Sequence, residues 1–146
     1  SLGGAAALLG AKPLPVEALV LEAVYPDIGA AVANRMKVFL GVVGAVTAQP
    51  LSYLFQLFLG PILGVNPAHL RPIDRIGDVS VPVFVLSGTI DNRTPLVEAQ
   101  ALFARAREPK LFWAVEGAGH IDLEAHAPEE YRKRVLPFLV EKLQRK

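Results

Sequence analysis

Three stretches of the chain are apolar almost without interruption: Ala18-Leu19-Val20-Leu21, Val83-Phe84-Val85-Leu86 and Leu111-Phe112-Trp113-Ala114-Val115. Continuous rather than alternating apolar runs are the pattern of parallel strands covered on both faces. Pro82 opens the second run, where a missing N–H is tolerated. Helical spacing fills the gaps between them. Leu2 to Ala11 is small and apolar, suited to a helix packed deep against a sheet. Thr94 and Pro95 predict an N-cap and a first helical residue, with Leu96, Ala99, Leu102, Phe103 and Ala106 recurring behind them at helical period. A last helix is predicted from Pro128, with Glu129 and Glu130 in the turn where the helix dipole favours acids. Tyr131, Val135, Leu139 and Leu143 form its apolar stripe, Lys142, Arg145 and Lys146 close it, and Pro137 should kink it. Alternating helix and strand predict an α/β fold, a mostly parallel sheet with flanking helices.

One stretch fits neither pattern. From Val38 to Leu70 the chain has no Asp, Glu, Lys or Arg. A membrane-spanning helix is one reading. Against it, Gln49-Pro50 divides the run, the apolar halves Val38 to Val46 and Leu51 to Val65 each fall short of the roughly 20 residues a span needs, and Gly60-Pro61 interrupts the second half again. The preferred reading is an apolar helical cap of about residues 34–71, inserted between strands with a greasy face over a pocket. Membrane contact through this cap is a possibility we do not favour.

Composition narrows the classes. The chain has 146 residues, of which 52% are apolar and 20% charged, which suits one globular domain with a real core. A formal charge of +1 argues against nucleic-acid binding, and with no cysteine there is no disulfide, thiolate metal site or cysteine nucleophile. The start, Ser1-Leu2-Gly3-Gly4-Ala5-Ala6-Ala7, has no initiator methionine and no basic segment of the kind that opens a signal peptide. It reads as the middle of a fold, so we expect a partial domain over 1–146 whose N-terminal strands are missing. Such a piece in isolation should have little or no activity. A cytoplasmic location is favoured, although a targeting region could lie outside the chain.

Acyl transfer by a serine needs an imidazole to take the hydroxyl proton and a carboxylate to fix the imidazole's tautomer. Three residues stand in suitable places. Ser1 directly precedes Leu2-Gly3-Gly4 and a predicted helix. Asp91 follows the second apolar run by the short turn Ser87-Gly88-Thr89-Ile90, and His120 follows the third by Glu116-Gly117-Ala118-Gly119. All three would emerge at one edge of a parallel sheet.

These segments carry a resemblance. Ser-Leu-Gly-Gly-Ala-Ala-Ala is similar to the nucleophile elbow of α/β hydrolases without its leading Gly-X. Pro82 to Pro95, PVFVLSGTIDNRTP, resembles that superfamily's strand-and-acid segment, and Glu116-Gly117-Ala118-Gly119-His120 resembles its histidine loop. The final helix is similar to the usual closing segment. The match spans essentially the whole chain and is nearest to serine-aminopeptidase-like and Bem46-like members. The resemblance implies the C-terminal half of an α/β-hydrolase fold. Ser1 would be nucleophile, Asp91 acid and His120 base, and the backbone N–H of Leu2 would be one oxyanion-hole donor. Such a donor is worth on the order of 3 kcal/mol in the transition state. A second donor would come from an earlier loop, outside this chain. No cofactor and no metal are implied. The partner expected is a small-molecule acyl substrate with an apolar part.

Each residue has a plainer rival. Ser1 could be an ordinary helix N-cap, and on propensity alone that reading wins; the glycines and the two downstream loops shift the preference to nucleophile. Asp91 could be a turn residue beside Asn92. Asp122 competes as the acid but follows His120 by only two residues. His126 and His69 compete with His120; the first adjoins the last helix and the second ends the cap beside Arg71. Arg93, Arg105 and Arg107 read as surface charges, Trp113 and Met36 as packing. Two other functions remain open: a peptidase or amidase of the same mechanism, and a hydrolase-like binding module without catalysis.

Overall fold

The computed structural model describes residues 1–10 and 14–143. The readings of Ala11, Arg145 and Lys146, and of the Lys142 and Leu143 side chains, lie outside them. Helix α1 (Leu2–Leu9) leads into strand β1 (Leu19–Glu22), then the long helical segment α2 (Ile28–Leu63). After the short helix α3 (Pro72–Arg75) come β2 (Val83–Gly88), α4 (Leu96–Arg105), β3 (Lys110–Val115), α5 (Leu123–His126) and α6 (Pro128–Leu143). The strands form a sheet in the order β1-β2-β3, both pairs parallel, with Leu19 opposite Val83 and Val83 opposite Lys110.

The central apolar run has the cause expected of it, whereas the outer strands β1 and β3 are mostly half-buried and Leu111 is exposed. In β2 every residue is buried, and alternate side chains feed two cores. Val83 and Val85 join Leu21, Ala5 and Leu8 of α1, and Ala99 and Leu102 of α4 on one face. Phe84 and Leu86 join Val115, Leu123, Val135 and Phe138 on the other. Fully burying side chains of this size contributes about 1.5–3 kcal/mol each, so the central strand fixes both layers. Helix α1 lies close on β1: a Cβ at Gly4 would stand 2.5 Å from Val24 Cγ2.

Two local expectations are corrected. Thr94 does not cap α4; the helix begins at Leu96 with Pro95 at the cap position, because the Thr94 N–H is drawn to Asp91 Oδ1 at 2.8 Å. The helical insertion begins at Ile28 rather than near residue 34, capped by Asp27, whose carboxylate accepts the Ala30 N–H at 2.8 Å.

The insertion folds back on itself. Gly41 has φ 56° and ψ −127°, a conformation open to glycine and strained for other residues, and it splits α2 into arms 28–40 and 42–63. A Cβ at Gly44 would lie 2.5 Å from the Met36 carbonyl oxygen, and Ser52 Oγ donates to the Gly29 carbonyl at 2.8 Å. The arms are therefore antiparallel. Gly44, Ala48 and Ser52, four residues apart, face the first arm and are buried, whereas most large apolar side chains of the second arm are exposed. The insertion's greasy face is thus turned outward, because small residues make the contact between the arms.

Candidate active site

Asp91 and His120 sit on the turns that leave β2 and β3, and backbone hydrogen bonds sew those turns together. Thr89 N–H donates to the Val115 carbonyl at 3.0 Å, and Ile90 N–H to the Ala118 carbonyl at 3.1 Å. The Gly117 N–H returns a bond to Thr89 Oγ1 at 2.9 Å. Gly88 lets the two backbones approach, since a Cβ there would fall 2.1 Å from the Ala118 oxygen. The register of two parallel strands is in this way carried into the loops above them.

The result is a defined pair. His120 Nδ1 lies 2.8 Å from Asp91 Oδ2, with the Asp91 side chain 0% and the His120 side chain 19% exposed. Asp91 Oδ1 accepts the N–H groups of Arg93 and Thr94, each at 2.8 Å. A carboxylate only accepts hydrogen bonds, so Nδ1 carries the imidazole proton and Nε2 is left with its lone pair. This is the orientation a general base requires.

Ser1 stands at the N-terminal end of α1, in the cap position, yet its hydroxyl makes no capping bond. Ser1 Oγ is buried and has no hydrogen-bond partner, so no bond joins it to His120. The first helical bond runs from the Ala5 N–H to the Ser1 carbonyl, which leaves the N–H groups of Leu2, Gly3 and Gly4 without intrahelical acceptors. Beside Leu2 opens a cavity of about 230 Å³ lined by Tyr25, Ile28, Ala31, Val32 and Arg35.

The rival residues occupy other roles. Asp122 caps α5, accepting the Ala125 N–H at 3.0 Å. His126 is exposed and its Nε2 meets the Glu116 carbonyl at 3.1 Å, and His69 is exposed near Arg71 and Asp74. Arg105 pairs with Asp74 at the surface, Arg107 is exposed, and Arg93 contributes its backbone to the Asp91 turn. Trp113 packs on Tyr131.

Sequence reasoning missed three neighbours of the site. Asn34, buried in the first arm of α2, donates to Glu98 Oε1 at 2.7 Å and to the Arg93 carbonyl at 3.4 Å. It ties the insertion to the acid turn. Burial raises the Glu98 carboxyl above its ordinary range, with the Asn34 bond opposing. Because the folded value lies above the unfolded one, ionising Glu98 costs stability as pH rises through the ordinary glutamate range. Tyr131 donates its hydroxyl to Glu22 at the end of β1, and burial, followed by that bond, pushes the phenol up. Arg35, on the wall of the cavity beside Leu2, is the third. The available signal for Asn34 was a lone amide within Ala30-Ala31-Val32-Ala33; nothing in sequence marked the others.

Known proteins share this fold. No protein-family profile matches the chain. It is 35% identical over 124 residues to an uncharacterised protein of Mycobacterium tuberculosis, a match covering 85% of this chain and 37% of that protein. It is 29% identical over 147 residues to the alpha/beta hydrolase domain-containing protein WAV2 of Arabidopsis thaliana, covering 95% of this chain and 44% of that one. Among solved structures, an esterase of Pyrococcus furiosus superposes with a TM-score of 0.69 at 21% identity, over 97% of this chain and 52% of the esterase. The fold is that of the α/β hydrolases. The chain spans less than half the length of these two curated relatives.

Proposed function

We propose that this chain carries the nucleophile, base, acid and one oxyanion donor of a serine hydrolase that cleaves an ester or similar acyl bond through an acyl-enzyme. The observation that carries the reading is the His120–Asp91 pair, buried at the carboxylate and held by two backbone donors. In this reading Ser1 Oγ attacks the substrate carbonyl and His120 Nε2 takes its proton. The negative charge that develops on the carbonyl oxygen is met by the Leu2 N–H, which has no intrahelical acceptor. His120 returns the proton to the leaving alcohol, then removes one from the attacking water and passes it to Ser1 Oγ as the acyl–Oγ bond breaks and the acid leaves. Asp91 stabilises the imidazolium at both stages.

The small-molecule substrate in this reading has an apolar part. The cavity beside Leu2 supports this, since Tyr25, Ile28, Ala31 and Val32 form most of its wall. A panel of p-nitrophenyl esters from acetate to decanoate tests both halves in the full-length protein. Hydrolysis should favour acyl chains longer than acetate, vanish in Ser1→Ala, and shift toward acetate when Val32→Trp fills the cavity. An unchanged rate in Ser1→Ala contradicts the mechanism. A flat chain-length profile contradicts the apolar substrate alone.

A further inference from the structure

We propose that the second arm of α2 and the hairpin tip at Gly41 form a surface that docks on a lipid bilayer, lying in its interface rather than crossing it. In a water-soluble helix pair the large apolar residues face inward and polar ones outward. Here the order is reversed. The inner stripe is Gly44, Ala48 and Ser52, whereas Phe39 (74% exposed), Val42 (88%) and Val46 (79%) lead an outer face that continues through Leu54, Phe58 and Ile62. Small residues between helices and large apolar ones outside are the arrangement of helices that face lipid.

Charge and polarity select a bilayer over a protein partner. No Asp, Glu, Lys or Arg occurs from Val38 to Leu70, while Lys37 stands exposed at the shoulder of the tip. Protein interfaces carry about one hydrogen bond per 100–200 Å² and favour Arg among their residues. The outer face has no Arg and few polar side chains, chiefly the exposed Gln49 and Tyr53, and the Thr47 hydroxyl is already bound to the Val43 carbonyl at 2.9 Å. A lipid interface asks for apolar area with a cationic margin that meets anionic headgroups. The 36-residue segment is long and apolar enough to cross a membrane, but it does not run straight. Ser52 and Gly44 tie the second arm along the first, and Asn34 ties the first to α4. An arm fastened in this way can rest on a membrane without leaving the body of the protein.

Flotation of the full-length protein with vesicles tests the proposal, using pure phosphatidylcholine and a mixture containing phosphatidylserine. Binding to both is expected, tighter to the anionic mixture. Phe39→Ser combined with Val42→Ser should weaken it at least tenfold, and Lys37→Gln should cost about fivefold on anionic vesicles only. Val97→Ser removes an exposed apolar residue of α4, outside this face, and should change nothing. Because all these positions are exposed, folding is expected to persist and is checked by circular dichroism. Absence of vesicle binding in the folded protein overturns the proposal, whether the face is then covered by another part of the polypeptide or by a second copy. So does a dimer that the tip substitutions dissociate and that ignores vesicles.

Discussion

Replacing Asp91 with asparagine is expected to lower kcat by about 10³–10⁴ while leaving the protein folded and KM nearly unchanged. The asparagine keeps an oxygen that can still accept the Arg93 and Thr94 N–H groups, so the turn survives. The amide nitrogen would then face His120 Nδ1 at the 2.8 Å contact. Two donors cannot share that contact, so the imidazole must move its proton to Nε2. The base is thereby lost without any change of shape. Steady-state kinetics on a chromogenic ester, with circular dichroism as the control for folding, measures this. A fall of less than tenfold would show that the orientation of His120 does not limit the reaction.

Gly88→Ala is expected to have the largest effect on stability, about 3 kcal/mol, and to lower activity further. Its Cβ would meet the Ala118 oxygen at 2.1 Å, the Ala118 carbon at 2.6 Å and the Gly119 oxygen at 2.8 Å. All three are backbone atoms, so no side-chain rotation relieves the clash, and the acid turn must separate from the histidine turn. Gly3→Ala is the matched control, because nothing lies within 4 Å of its Cβ position. Urea unfolding midpoints should fall sharply for the first variant and little for the second. Equal midpoints would mean that the two turns are not held by this contact.

Much of this arrangement can be read from sequence for a simple reason. A strand buried on both faces must be apolar at every position, so Val83-Phe84-Val85-Leu86 announces itself, and whatever follows it sits at the sheet's edge. Asp91 and His120 inherit their visibility from those runs. Ser1 is less legible, because serine before a helix serves equally as a cap; in the folded chain its hydroxyl makes no capping bond. The misplacement of Thr94 has the same origin: a cap is local, and Asp91 claims the Thr94 N–H first. Residues far apart in sequence leave no local trace. Asn34 and Glu98 are 64 positions apart, and nothing in the pattern around either one names the other. The apolar insertion was legible as apolar but not as outward-facing. Hydropathy has no direction, and the direction here is set once the chain reverses at Gly41 and the small stripe Gly44, Ala48 and Ser52 takes the contact between the arms.

The central claim is that Ser1 is the residue His120 activates. The most direct measurement is mass spectrometry of the full-length protein after treatment with a fluorophosphonate. A single adduct on the peptide containing Ser1, lost in His120→Ala with the fold intact, is the expected result. A folded protein that forms no adduct, or forms one elsewhere and keeps it in His120→Ala, would contradict the account.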